Sequence, residues 1–182
     1  MKLIVISTAI AVPNEHEIIN SLFEAGMEKF QLHKLNFSKE ETEKFIQRIS
    51  SKHRNKISLH SAFPKFHSLK ELEEGLPLTP SEGRGTYFFI SPIFDSISKG
   101  GYKSNFDLQK IKQFLQKQKT PSEGGGWGEA VALGGIDEDK IEACRTIGFA
   151  GVAVLGAIWN SKNPIEKFKQ IQSLCAKNIL AT

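Results

Sequence analysis

Apolar residues in this chain come as short unbroken blocks, separated by stretches whose apolar positions recur at helical spacing. Leu3–Ser7 predicts a first buried strand. A helix opens at Pro13-Asn14-Glu15, carries Ile18, Ile19, Leu22 and Phe23 on one face, and stops at Gly26. Lys29–Leu35 predicts a second strand. Ser38 then caps a helix, with Glu41 completing a capping box and Phe45, Ile46 and Ile49 on the apolar face. Lys56–Ser61 predicts a third strand and the aromatic block Tyr87–Ile90 a later one. A helix from Phe106 to about Lys117, a strand Ala130–Ile136, a helix from Asp137 to Gly148 and a strand Gly151–Ile158 follow. The last helix starts at Asn163-Pro164, with proline in its favoured first position, and carries Ile165, Phe168, Ile171 and Leu174.

The alternation breaks once. After the strand ending at Ser61, a new helix begins at His67-Ser68-Leu69, which leaves no room for a helix and another full strand. Alternating strands and helices predict an α/β fold with a parallel sheet. The closing order of Gly-Gly strand, helix, Gly-bearing strand and helix favours a TIM (βα)8-like barrel over a doubly wound open sheet. The chain is short of about one βα unit between Ser61 and His67. No Gly-x-Gly-x-x-Gly follows the first strand, which argues against a dinucleotide fold. Thr79-Pro-Ser-Glu-Gly83 recurs as Thr120-Pro-Ser-Glu-Gly124, each time between a helix and the following strand. In a barrel such loops lie opposite the active face and tolerate insertions.

Composition narrows the picture only mildly. The 182 residues predict one domain spanning 1–182, with an ordinary soluble balance of 40% hydrophobic and 24% charged residues. A formal charge of +4, spread along the chain, gives no prompt for nucleic acid and suits small anionic ligands. Cys144 and Cys175 lie far apart without metal-ligand spacing and read as reduced, buried thiols. With no signal-like or membrane-length apolar stretch, the expectation is a cytoplasmic protein with no membrane partner.

The loop after Tyr87–Ile90 carries the first candidate chemistry. Ser96 and Ser98 bracket Ile97, and Lys99 precedes Gly100-Gly101. Hydroxyls, an ammonium and close-approaching backbone are what a phosphate ester needs. In a barrel, phosphate sites often form from the loops after the last two strands. Gly134-Gly135 and Leu155-Gly156 sit there, so three loops would converge on one phosphate.

These pieces resemble the thiamine phosphate synthase family and its thiazole tautomerase relatives. Phe30-Gln-Leu-His33 is similar to the family's Gln-Leu-Arg strand, and His67-Ser-Leu-Lys-Glu71 to its His-Ser-x-x-Glu helix start. Ser91-Pro-Ile-Phe-Asp-Ser-Ile-Ser-Lys99 resembles its Gly-Pro-x-Phe-x-Thr-x-Thr-Lys loop, and the two late glycine-bearing strands resemble its last two. Pro92 stands where the tautomerases carry a catalytic His, which favours the synthase branch.

The resemblance implies a transferase that joins hydroxymethylpyrimidine pyrophosphate to hydroxyethylthiazole phosphate and releases pyrophosphate with Mg2+. Carried over by position, Ser96, Ser98, Gly134, Gly135, Leu155 and Gly156 would hold the thiazole phosphate, and Lys99 would neutralise phosphate charge. Gln31 would face the pyrimidine site. His33 aligns with a pyrophosphate-binding Arg, and Lys34 would substitute for a Lys that aligns with Leu35. The family's metal-binding Asp has no counterpart, its Asn-Asp aligns near His60-Ser61, and Lys65 stands where it has a Ser. The thiazole phosphate half therefore reads as intact and the metal and pyrophosphate half as damaged. Two alternatives remain: a phosphate-ester or thiamine phosphate binder without catalysis, and a thiazole tautomerase with His67 moving the proton. A barrel short of a strand has open edges, so the wall would re-close with fewer strands, pair with another chain as a homodimer, or persist as a strained remnant.

Overall fold

The computed structural model describes residues 1–74, 87–96, 103–118 and 128–177. The chain runs through β1 (Lys2–Ile6), α1 (Glu15–Glu24), β2 (Lys29–Leu32), α2 (Lys39–Gln47) and β3 (Ile57–Leu59). It continues through β4 (Lys65–Phe66), α3 (Leu69–Glu74), β5 (Tyr87–Ile90), α4 (Leu108–Gln118) and β6 (Glu129–Leu133). The last elements are α5 (Ile141–Ile147), β7 (Gly151–Val154), α6 (Gly156–Trp159) and α7 (Pro164–Ala176).

Among the described residues seven strands form one sheet in the order β3-β2-β1-β7-β6-β5-β4, and every pairing is parallel. That is the cyclic order of a barrel, opened between β3 and β4. The fold is the expected TIM-like barrel lacking one unit, and the break falls where the alternation fails in the sequence. Strand bounds needed adjusting: the strands expected over Lys29–Leu35, Lys56–Ser61 and Ala130–Ile136 end earlier, at Leu32, Leu59 and Leu133. A strand remnant, Lys65–Phe66, survives against β5 in the short interval before His67. The last predicted strand ends at Val154 instead of Ile158, because the chain turns directly into α6.

The apolar blocks divide by the two-residue period of a strand. Val5, Phe30, Phe88, Ala132 and Val152 face outward into the large core beneath the helices, where Ile19, Leu22, Ile111, Cys144, Phe168 and Ile171 meet them. Ile4, Ile6, Tyr87, Phe89, Val131 and Ala153 face inward and form a second core inside the curl. Phe63, from the β3–β4 connection, joins that inner core. It stacks on Tyr87 at 4.4 Å and meets Phe89 edge-on at 6.2 Å. An aromatic side chain thus fills interior space beside the opening in the wall.

The helix signals are local and hold. Ser38 and Glu41 make both bonds of the capping box, and Asn163 accepts from the Glu166 amide with Pro164 opening α7. Gly26 ends the α1 turn at φ +99°, a conformation that favours glycine. Both cysteines are buried and unpaired, and burial pushes the Cys144 thiol up to about 12. Among the described residues no helix is long and apolar enough to cross a membrane. Both Thr-Pro-Ser-Glu-Gly segments, together with Ser98 and Lys99, lie outside the described residues.

Candidate functional site

At the carboxyl ends of the strands lies a cavity of about 330 Å³, lined from β1 and from the segments following β2 through β7. This is the end at which barrel enzymes bind their substrates. A larger depression of about 600 Å³ opens at the other end, around Lys2, Gly26, Ala150 and Gln172. It lacks the convergence of strand-end loops that gives the first cavity its chemistry.

One side of the cavity is backbone. Gly134 and Gly135 have φ of +94° and +64°, and the segment after β5 lies directly on them. A β-carbon on Gly135 would meet the Asp95 carbonyl oxygen at 2.2 Å, and one on Gly134 would meet Pro92 Cα at 2.8 Å. Ile93 and Phe94 donate backbone hydrogen bonds to the Leu133 and Gly134 carbonyls, at 2.9 and 3.2 Å. These contacts bring Ser96 to the cavity beside Gly134 and Gly135. Asp95 does not oppose an anion from this loop unchecked, since its Oδ1 accepts from the Ser104 amide at 2.8 Å, and the Ser104 hydroxyl donates to the Pro92 carbonyl. Leu155 and Gly156, at the entry to α6, complete this side. Trp159 is a packing residue: its Nε1 donates to the Ile6 carbonyl at 2.7 Å.

The other side is made of side-chain nitrogens. His33, His60, Lys65 and His67 all line the cavity, from strand ends that flank the opening in the wall. His67 Nδ1 donates to the Ser91 carbonyl at 2.8 Å, so in the neutral ring Nε2 is the proton acceptor. Glu71 accepts from the His67 amide at 2.6 Å and ties the ring to the first turn of α3. His60 is buried, and its Nδ1 donates to Gln31 Oε1 at 2.5 Å. Gln31 Nε2 in turn donates to the Tyr87 hydroxyl at 3.0 Å. Burial, reinforced by Lys65 and His33, pushes His60 down to about 3, so it is neutral at ordinary pH. Burial also lowers Lys65 from the usual lysine range.

The structure brings together His33, His67, Ser96, Gly134, Gly135, Leu155 and Gly156 from the residues singled out by sequence. It does not bring Gln31 or Lys34 with them. Gln31 is fully buried inside the curl, and its amide holds His60 and Tyr87 instead of lining the cavity. The Lys34 ammonium is buried against Glu15 at 2.6 Å and also donates to the Thr8 and Ile10 carbonyls. It is committed to holding α1 against the end of β2, so the expected use as a substitute pyrophosphate cation is corrected. Lys65 was not a candidate from sequence. Its position as the first residue of a two-residue strand, one place before Phe66 turns outward, is the signal that identifies it afterwards.

Mg2+ takes hard oxygen ligands in near-octahedral geometry. The cavity lining among the described residues offers imidazoles and an ammonium and no carboxylate. No group of three or more His, Cys, Asp or Glu among those residues is arranged to hold a metal ion. The donors present do not fit Mg2+.

No family model matches the chain. It is 25% identical over 88 residues to the thiamine-phosphate synthase of Limosilactobacillus reuteri, covering 48% of this chain and 37% of that one. It is 34% identical over 77 residues to that of Latilactobacillus sakei, covering 42% and 31%. The matched segments thus span about a third of the length of these curated relatives. Among solved structures, a thiamine phosphate pyrophosphorylase from Bacteroides thetaiotaomicron superposes with a TM-score of 0.70 at 24% identity, over 96% of this chain and 97% of that one. One from Pyrococcus furiosus gives 0.65 at 16% identity, over 96% and 95%.

The chain is therefore similar to thiamine-phosphate synthases in sequence over part of its length, and it shares their fold over nearly all of it.

Proposed function

We propose that this chain is a thiamine phosphate synthase-like transferase that binds a thiazole phosphate ester on the glycine and serine side of the cavity and a pyrimidine diphosphate on the nitrogen side. The observation that carries this reading is the convergence of Ser96, Gly134, Gly135, Leu155 and Gly156 on one cavity at the carboxyl ends of the strands. Amides and a hydroxyl there suit a phosphate monoester. Ser98 and Lys99 follow Ser96 in sequence and would extend the same phosphate contact.

In the reaction, the bond between the pyrimidine methylene and the diphosphate oxygen breaks, and its electron pair leaves with pyrophosphate. The pyrimidine ring stabilises the cation formed, and the thiazole nitrogen supplies the pair for the new carbon–nitrogen bond. The protein's part is to hold both anions in reach and to offset charge on the leaving group. No step here runs through Mg2+, because the donors lining the cavity do not suit it. That same mismatch favours a second reading, a binder of thiamine phosphate or its thiazole half without turnover.

Steady-state assays with both substrates separate the two. Turnover supports the transferase; tight thiazole phosphate binding with no turnover, with or without Mg2+, leaves the binder. Lys99→Ala should weaken thiazole phosphate binding by about 1–3 kcal/mol, the range for hydrogen bonds to charged groups. Unchanged affinity in calorimetry would remove Lys99 from the site.

A further inference from the structure

Lys65 is the least explained group in the cavity. It lines the same space as the glycine side, at the edge strand β4 beside the opening in the wall. It is only partly exposed, yet among the described residues its ammonium has no hydrogen-bond or ion-pair partner. Lys34 shows the contrast: it is buried against Glu15 and two backbone carbonyls. A charge held away from water without a partner is costly, and the cost is recovered when an anion arrives. Burial lowers the proton affinity of Lys65, the same cost seen from the side of the proton.

The neighbours define which anion. His33, His60 and His67 line the same cavity as the lysine, and no carboxylate lines it among the described residues. His33 and His60 meet edge-on, with ring centres 5.0 Å apart. An ammonium on a cavity wall without carboxylates suits a compact, multiply charged oxyanion, while His60, neutral with its N–H given to Gln31, shapes the wall and adds no charge. The glycine side is separately suited to a monoester, so the cavity has two unlike anion-binding ends.

We propose that Lys65 is the resident cation for a substrate's diphosphate group, and that diphosphate binding in this chain is therefore independent of metal. The inference rests on the two-anion reading of the cavity given above. Lys65 acts as a point charge, the way lysine commonly meets phosphate. The imidazoles of His33 and His67 line the same cavity.

The test is calorimetric titration of the full chain with inorganic pyrophosphate, first in EDTA and then with Mg2+. Hydroxyethylthiazole phosphate is titrated in parallel, on the wild type, Lys65→Met and Lys65→Arg. Expected is wild-type pyrophosphate binding in EDTA that weakens at least tenfold in Lys65→Met and is largely restored in Lys65→Arg. Thiazole phosphate affinity should stay within about twofold throughout, which also reports that the variants are folded. Wild-type pyrophosphate binding only with Mg2+, or equal binding by Lys65→Met, overturns the role of Lys65; retained thiazole phosphate binding then leaves the wider reading standing. Failure of the wild type to bind either ligand overturns both.

Discussion

Along β5, β6 and β7 the cavity is faced by backbone, and its shape depends on two glycines that nothing larger can replace. Along β2, β3 and β4 it is faced by imidazoles and an ammonium, whose positions depend on contacts between distant segments. The first side is a geometric mould, and the second is a charge arrangement supported by hydrogen bonds from behind. A mould tolerates almost no change at its tight points. A charge arrangement can be retuned one residue at a time, provided its supports stay in place.

The largest effect expected from that contrast lies in a support, not in the cavity. Lys34→Ala strands Glu15 as a buried carboxylate, 2% exposed, and should cost about 3–5 kcal/mol of stability in denaturant unfolding. A loss below about 1 kcal/mol would mean that the nitrogen side does not lean on this pair. Gly135→Ala comes next, at roughly 2–4 kcal/mol, from a side chain forced into positive φ and a β-carbon driven into the Asp95 carbonyl. It should abolish thiazole phosphate binding and leave pyrophosphate binding largely intact. Equal loss of both ligands would erase the distinction between the two sides.

At neutral pH the smallest effect is the titration of His60, which is felt only as the solution is acidified. His60 titrates at about 3 when folded, against an ordinary value of 6.5. Between those values the unfolded chain holds more protons, so this contribution to stability is full above about pH 6.5 and is lost as pH falls toward 3. Over the whole interval the shift corresponds to roughly 5 kcal/mol, of which about 3 falls between pH 7 and 4. Unfolding midpoints of wild type and His60→Asn, measured from pH 7 down to 4, should converge as the pH drops. A constant difference would mean that His60 is not held neutral by burial.

What the sequence made legible follows from the range of the interactions involved. The Ser38–Glu41 capping box, Pro164 at the head of α7 and Gly26 at the end of α1 act within a few residues, so their pattern is enough. The missing unit was also readable, because too few residues separate Ser61 from His67. The glycine side was nameable because Gly134-Gly135 is a local backbone signal. The nitrogen side was not. Gln31 and Lys34 sit three residues apart around the end of β2, yet one turns into the interior toward Tyr87, 56 residues on, and the other toward Glu15, 19 residues back. Lys65 reaches the cavity because a two-residue strand finds β5, a pairing too short to leave a periodic trace.

The opening between β3 and β4 bears on how the protein breathes. Among the described residues β3 is held by β2 alone through three residue pairs, and β4 by β5 alone through two, whereas β1, β6 and β7 are each paired on both sides. Local opening is therefore cheapest at the strand that leads into His60 and the strand that carries Lys65. In amide hydrogen exchange those edges should trade protons ahead of β1, β6 and β7. A ligand bridging the two ends of the cavity would slow them, joining two loosely hinged margins through a molecule where the wall itself does not meet.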